Sequence, residues 1–79
     1  MPNIDERKFL RDLGERLRAV REGQNLTQRQ VAEKCNLHRT FIGSVERGER
    51  NVSVLNLRLI ARVLRVRIAE LLEGGPKGR

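Results

Sequence analysis

The stretch from Gln28 to Val45 constrains this 79-residue chain more than any other part of it. Two amphipathic segments, Gln28 to Cys35 and a second starting at about His38, are separated only by Asn36-Leu37. Helices joined this tightly must cross steeply, and a steep crossing demands particular residue types at fixed offsets. Apolar side chains must fill the wedge, and Val31, Cys35, Leu37, Ile42 and Val45 are spaced to do so. A small residue must stand where the helices come closest, a place Ala32 takes. One turn residue must accept a left-handed backbone, and Asn36 is among the few residues other than glycine that do so at low cost. Two arbitrary amphipathic helices would rarely meet all these demands at once.

The remaining chain reads as helices built around this pair. Between Asp5 and Glu22, Phe9, Leu13, Leu17 and Val20 recur at helical spacing, and Gly23-Gln-Asn25 ends the run. Thr27 is a good N-cap for the second segment, with Gln30 at the capping-box position. The third helix is expected from about His38 to Arg47, stopped by Gly48. Ser53 caps a fourth over Val54 to Leu64, where Val54, Leu57, Ala61 and Leu64 form one stripe that Ile60 widens. A short fifth covers Arg67 to Glu73. No strand alternation and no internal repeat is visible. The expectation is an all-α fold, one compact five-helix domain over residues 1–73, followed by a flexible basic tail, Gly74 to Arg79.

Composition narrows the partner. The chain has 17 Lys plus Arg against 10 Asp plus Glu, a formal charge of +7 and a pI near 11.3. That balance points to a polyanion, nucleic acid before an anionic membrane surface, although a source genome biased toward Arg codons would produce the same surplus. Most of the excess, +4, lies in residues 52–79, against +2 in residues 27–51, so charge alone does not locate a binding face. A single cysteine, Cys35, excludes an internal disulfide framework and fits a reducing, cytoplasmic compartment. Cys35 is read as a small apolar filler of the wedge rather than a redox switch. With only one histidine, His38, beside it, no closed zinc site can form, and no metal or cofactor is expected. No apolar run approaches the roughly 20 residues of a membrane span, and Met1 to Arg7 lacks a signal-peptide apolar region. Two Phe and no Tyr or Trp argue against a stacking platform for single strands. Catalysis is the weakest class: His38 has no nucleophile to serve, and neither paired acids nor a Gly-rich phosphate loop precedes a helix in the required context. Duplex DNA is the partner that remains.

With Ile42 and Val45 turned inward, Arg39, Thr40, Gly43, Ser44 and Arg47 share the outer face of the third helix. Arg39 stands near the helix N-terminus, where major-groove readers place their base contacts, and is expected to fork onto guanine O6 and N7. Thr40 can touch a thymine methyl or a phosphate, and Ser44 can do either through its hydroxyl. Gly43 costs helix propensity, about 1 kcal/mol relative to Ala, which close approach of the backbone to a duplex would repay; a packing accident is the plainer reading. Thr27 and Gln28 open the second helix, whose free N–H groups favour an anion, so both are expected at phosphates. His38 and Asn51 offer further donors.

The string from Leu37 to Ser53, with Leu26-Thr-Gln28 and Leu13-Gly14, resembles the phage-repressor-like (XRE) helix-turn-helix family. Within it, residues 37–53 are most similar to the controller proteins of restriction–modification systems. The resemblance covers nearly all of residues 9–73 and implies a lambda-repressor-like fold, sequence-specific DNA binding and transcription regulation. It implies that Arg39, Thr40, Ser44 and Arg50 occupy base-reading positions. It also implies an internal ion pair between Glu46 and Arg21 that tethers the recognition helix. Many relatives carry Tyr at position 41; Phe41 keeps the ring without the hydroxyl, which puts a phosphate contact there in doubt. Arg65 stands where the family usually has a helix-ending Gly or Asn, and Arg67 where it usually has a Ser or Thr cap.

A domain this small reads few base pairs alone, so a homodimer on a palindromic operator is expected. The candidate interface is Val66, Ile68, Leu71 and Leu72, because a short fifth helix cannot bury every apolar residue against its own core; the alternative is that Val66, Leu71 and Leu72 are ordinary core and only Ile68 is exposed. RNA polymerase is a further candidate partner; no membrane is. The competing readings are a phage-type repressor or antitoxin-type regulator and, in a different class, a protein-interaction module on the same fold. That last reading needs an acidic or apolar outer face on the third helix, against which Arg39-Thr40 and Arg50 speak.

Overall fold

The computed structural model describes residues 3–73, and within them the chain forms five helices and no strand. These are α1 (Ile4–Gly23), α2 (Gln28–Cys35), α3 (Arg39–Glu46), α4 (Val54–Leu64) and α5 (Ile68–Leu72). The expected tail, residues 74–79, lies outside the described residues.

Local chemistry accounts for the boundaries. Thr27 Oγ1 accepts from the Gln30 amide at 3.0 Å while Gln30 Oε1 accepts from the Thr27 amide at 2.8 Å, a reciprocal cap that satisfies two otherwise free donors. The same box stands at the start of α1 between Asn3 and Glu6, a pattern the sequence spells equally plainly but which was not among the expected caps. Ser53 caps α4 through the Asn56 amide. Asn36 takes φ 57 and ψ 42, the left-handed turn that lets α3 follow α2 after three residues. Arg65 is left-handed too, at φ 60, and closes α4 by donating its amide toward the Ala61 and Arg62 carbonyl oxygens, a conformation that costs a non-glycine residue more than Gly or Asn. Arg67 begins α5 with no side-chain cap, so the second departure leaves its signal unmade.

The core is one cluster. Leu13 and Leu17 of α1 meet Val31, Ala32 and Cys35 of α2, Ile42 and Val45 of α3, and Leu57, Ile60, Ala61 and Leu64 of α4. Each fully buried aliphatic side chain contributes on the order of 1.5–3 kcal/mol. α2 packs against both α3 and α4, while α5 closes the gap between α1 and α4. Gly14 sets the distance between α1 and α3: a Cβ there would stand 2.5 Å from the Val45 carbonyl oxygen and closer still to that of Glu46.

Three expectations need correction. Phe9 is 45% exposed rather than core, because Asn3 through Phe9 are all exposed and this end of α1 reaches past the body of the bundle. Val54 is 75% exposed, since the buried stripe of α4 starts one turn later at Leu57. Leu71, offered as a dimer residue, is 1% exposed and belongs to the core, where Arg16 also donates to its carbonyl oxygen from α1.

Candidate nucleic-acid interface

The inner face of α3 carries a charge as well as apolar side chains. Ile42 and Val45 are buried, and so is Glu46 beside them. Its carboxylate meets Arg21, near the end of α1, through two parallel bonds: Nε to Oε2 at 2.6 Å and Nη2 to Oε1 at 3.0 Å. The third guanidinium nitrogen, Nη1, donates to the Leu26 carbonyl oxygen at 2.8 Å, and Gln28 Nε2 donates to Glu46 Oε1 at 2.9 Å. One buried pair therefore joins α1, the turn before α2, the first residue of α2 and the end of α3. The hydrogen-bonded Glu46 carboxylate raises the already high pKa of Arg21 against the opposing effect of burial.

With its rear fixed in this way, α3 turns Arg39, Thr40 and Arg47 to solvent. Neither Arg39 nor Arg29 has an acid within 4 Å among the described residues. A shallow groove lined by Thr27, Gln28, Arg29 and Arg39 links the start of α2 to the start of α3. Thr27 uses its oxygen as acceptor for the cap, which leaves its hydroxyl proton to donate outward. Arg29, which the sequence alone does not single out, joins this groove; its signal, a cation in the first turn of a capped helix, is weak without it. His38 is the backbone N-cap of α3, its side chain exposed and making no cap bond.

Other expected residues are placed differently from their sequence reading. Gly43 is buried, not open: the space of a Cβ lies 3.2 Å from both Gln28 Oε1 and Arg47 Nη1, so its smallness lets those side chains lie across α3. The Gln28 amide is spent on Glu46. Ser44 is half-buried and donates its proton back to the Phe41 carbonyl oxygen at 2.8 Å, while its Oγ accepts from Arg50 Nε at 3.2 Å. Arg47 is held by Glu49 through bonds of 3.0 and 3.2 Å, and the Arg47 guanidinium lowers the Glu49 carboxyl pKa. Asn51 is exposed but lies with Asp5, Glu6, Phe9 and Leu10 around a depression at the start of α1, away from the Arg39 groove. Val66, Ile68 and Leu72 are half-buried on the outer side of the core cluster.

Comparison with known proteins agrees with this geometry. Residues 17–71 match the helix-turn-helix family model HTH_3. Over 60 residues the chain is 48% identical to control protein C.SmaI of Serratia marcescens, spanning 76% of this chain and 71% of that protein. Its structure is similar to that of the restriction-modification controller protein C.AhdI from Aeromonas hydrophila, with a TM-score of 0.77 and 40% identity over 78% of this chain and 94% of that one. It is also similar to the biofilm master regulator SinR in complex with DNA, with a TM-score of 0.73 and 28% identity over 76% and 97% of the two chains.

Proposed function

This chain belongs to the helix-turn-helix family, and from that premise we propose that it is a sequence-specific, dimeric DNA-binding regulator of transcription, the controller protein of a restriction–modification system. The observation that carries the reading is a third helix locked from behind by Arg21–Glu46 while Arg39 and Thr40 stand exposed on its front, without a side-chain partner among the described residues. A surface arginine with no internal acid partner keeps its planar fork for an external acceptor pair, and guanine O6 and N7 supply one. Arg39 reads guanine, Thr40 contacts the neighbouring base or phosphate, and Arg50 reads from the loop beyond. Thr27, Arg29 and His38 meet phosphates around the groove, with Asn51 a more distant donor. Gln28 acts mainly by fixing Glu46.

Val66, Ile68 and Leu72 pair across a two-fold axis, so that two recognition helices meet a palindromic operator. Controller function places the chain in the cytoplasm, at promoters, where RNA polymerase is the further partner. It acts by binding, not by catalysis. The likeness to C.SmaI and C.AhdI supports the controller assignment, and the likeness to a DNA-bound regulator supports the partner.

The test is selection of bound duplexes from a random pool at two salt concentrations. A palindromic consensus with a steep salt slope is expected. Binding without sequence preference overturns the reading, and a consensus unchanged by Arg39→Ala overturns the role given to that residue.

A further inference from the structure

We propose that Phe41 and Ser44 are positioning residues that hold the Arg50 guanidinium as an end-on fork toward the bound base edge. This inference rests on the DNA-binding reading above. Arg50 lies on the loop beyond Gly48, whose φ of +75 carries the chain out of α3, so no helix restrains its backbone. A long cation on such a loop would ordinarily sample many rotamers and give up that freedom on binding. Here it is restrained from two sides. The guanidinium carbon stands 5.2 Å from the centre of the Phe41 ring, within cation–π range. Its Nε donates to Ser44 Oγ at 3.2 Å.

The partners' own anchoring makes the restraint directional. Phe41 is half-buried and packs on the core, so the ring is a fixed platform. Ser44 gives its proton to the Phe41 carbonyl oxygen, which orients the hydroxyl so that a lone pair faces Arg50. Because Nε is occupied, Nη1 and Nη2 are the donors left, and neither has a partner among the described residues. Two donors at the end of a plane match the two acceptors of a guanine edge.

The contrast with Arg47 shows why neutral partners matter. Arg47 spends Nε and Nη2 on Glu49, and the carboxylate cancels its charge. A ring and a hydroxyl orient Arg50 without neutralising it. Ser44 thereby acts through Arg50 instead of reading a base itself, and the ring at position 41 has a use that does not require a tyrosine hydroxyl.

The experiment is a double-mutant cycle on the duplex selected by the wild-type chain, read as the ratio of Kd values for the consensus and for single-base variants. Arg50→Ala first identifies the position that Arg50 reads. Phe41→Leu should then lower discrimination about three- to tenfold at that position alone, and add no loss in the Arg50→Ala background. Phe41→Tyr should retain full discrimination. Ser44→Ala, which removes the acceptor without opening the core, should reproduce part of the loss even if Phe41→Leu fails to fold. Losses spread over the whole operator, equal losses in both backgrounds, or no loss in either variant would overturn the proposal while leaving the regulator reading intact. A wild-type chain with no sequence preference would overturn both.

Discussion

Removing the Glu46 carboxylate should cost this domain a large part of its stability. Glu46 and Arg21 side chains are 5% and 10% exposed, so neither can turn to water without moving a helix. In Glu46→Ala the guanidinium loses two bonds of 2.6 and 3.0 Å and keeps only the Leu26 carbonyl and a distant Glu22 carboxylate at 3.8 Å. Gln28 loses its acceptor in the same step. Breaking one side of a buried pair typically costs about 3–5 kcal/mol, because a charge is left buried and uncompensated. At roughly 0.05–0.15 kcal/mol per residue, a chain of 79 residues has about 4–12 kcal/mol in all. A loss of that size corresponds to a melting shift on the order of 12 °C or more. Chemical denaturation monitored by circular dichroism measures it directly. The double variant Arg21→Met with Glu46→Leu removes both charges, and should recover at least about 2 kcal/mol of the single variant's loss. If Glu46→Ala melted within ~3 °C of wild type, or the double variant were no better than the single, the pair would not be what tethers α3.

Four further outcomes follow from particular positions. Arg65→Gly relieves a left-handed residue at φ 60, and after loss of a favourable cation at the α4 C-terminus should still gain about 0.5–1 kcal/mol, seen as a rise in Tm of a few degrees. Gly14→Ala drives a methyl group into the Glu46 and Val45 carbonyls, and should cost about 1–3 kcal/mol by forcing α1 and α3 apart, a loss that denaturant titration reads out. Burial pushes the Cys35 thiol pKa up, so the folded state keeps its proton where the unfolded chain releases it. Stability is therefore fully present below the unfolded thiol's pKa and falls as pH rises above it; denaturation midpoints above about pH 8.5 should decline in wild type and not in Cys35→Ala, relative to their values at pH 7. Arg29→Ala should weaken binding to all duplexes alike and reduce the salt slope by about one per protomer, with the selected consensus unchanged.

Much of this fold was legible because its punctuation is local. Thr27, Asn36, Gly48 and Ser53 each act within a few residues of themselves, and each takes the conformation or cap that its neighbours imply. Phe9 and Val54 were misplaced for a different reason. Periodicity identifies the apolar side of a helix but not where the rest of the protein stops covering it, and both residues lie in turns that project beyond that cover. Leu71 is the converse case, an apolar residue on a short helix that the core nevertheless reaches. At the candidate site, Arg39 could be found from its offset to Ile42 and Val45 alone. The roles of Gly43, Gln28 and Ser44 could not, since each depends on a partner 3 to 18 positions away in sequence. An outward-facing hydroxyl reads the same in sequence whether it awaits a base or already holds an arginine.

The same distinction changes the meaning of the charge. Residues 27–51 carry five cations and three acids, a nearly balanced segment by count. In the fold, Glu46 is turned inward and spent on Arg21 from outside that segment, and Glu49 is spent on Arg47. Glu33 is the acid of the segment left without a cation within 4 Å among the described residues. Arg29, Arg39 and Arg50 have no acid partner within 4 Å among the described residues, where Arg50 is held by a ring and a hydroxyl. The exposed part of this segment is thus more positive than its composition, because two of its three acids are occupied and one of those is removed from solvent. The larger surplus after residue 51 adds long-range attraction, which salt screens within about 10 Å at 0.1 M. In the proposed function, discrimination between sequences comes instead from the few arginines whose positions the buried pair and the Phe41–Ser44 platform define.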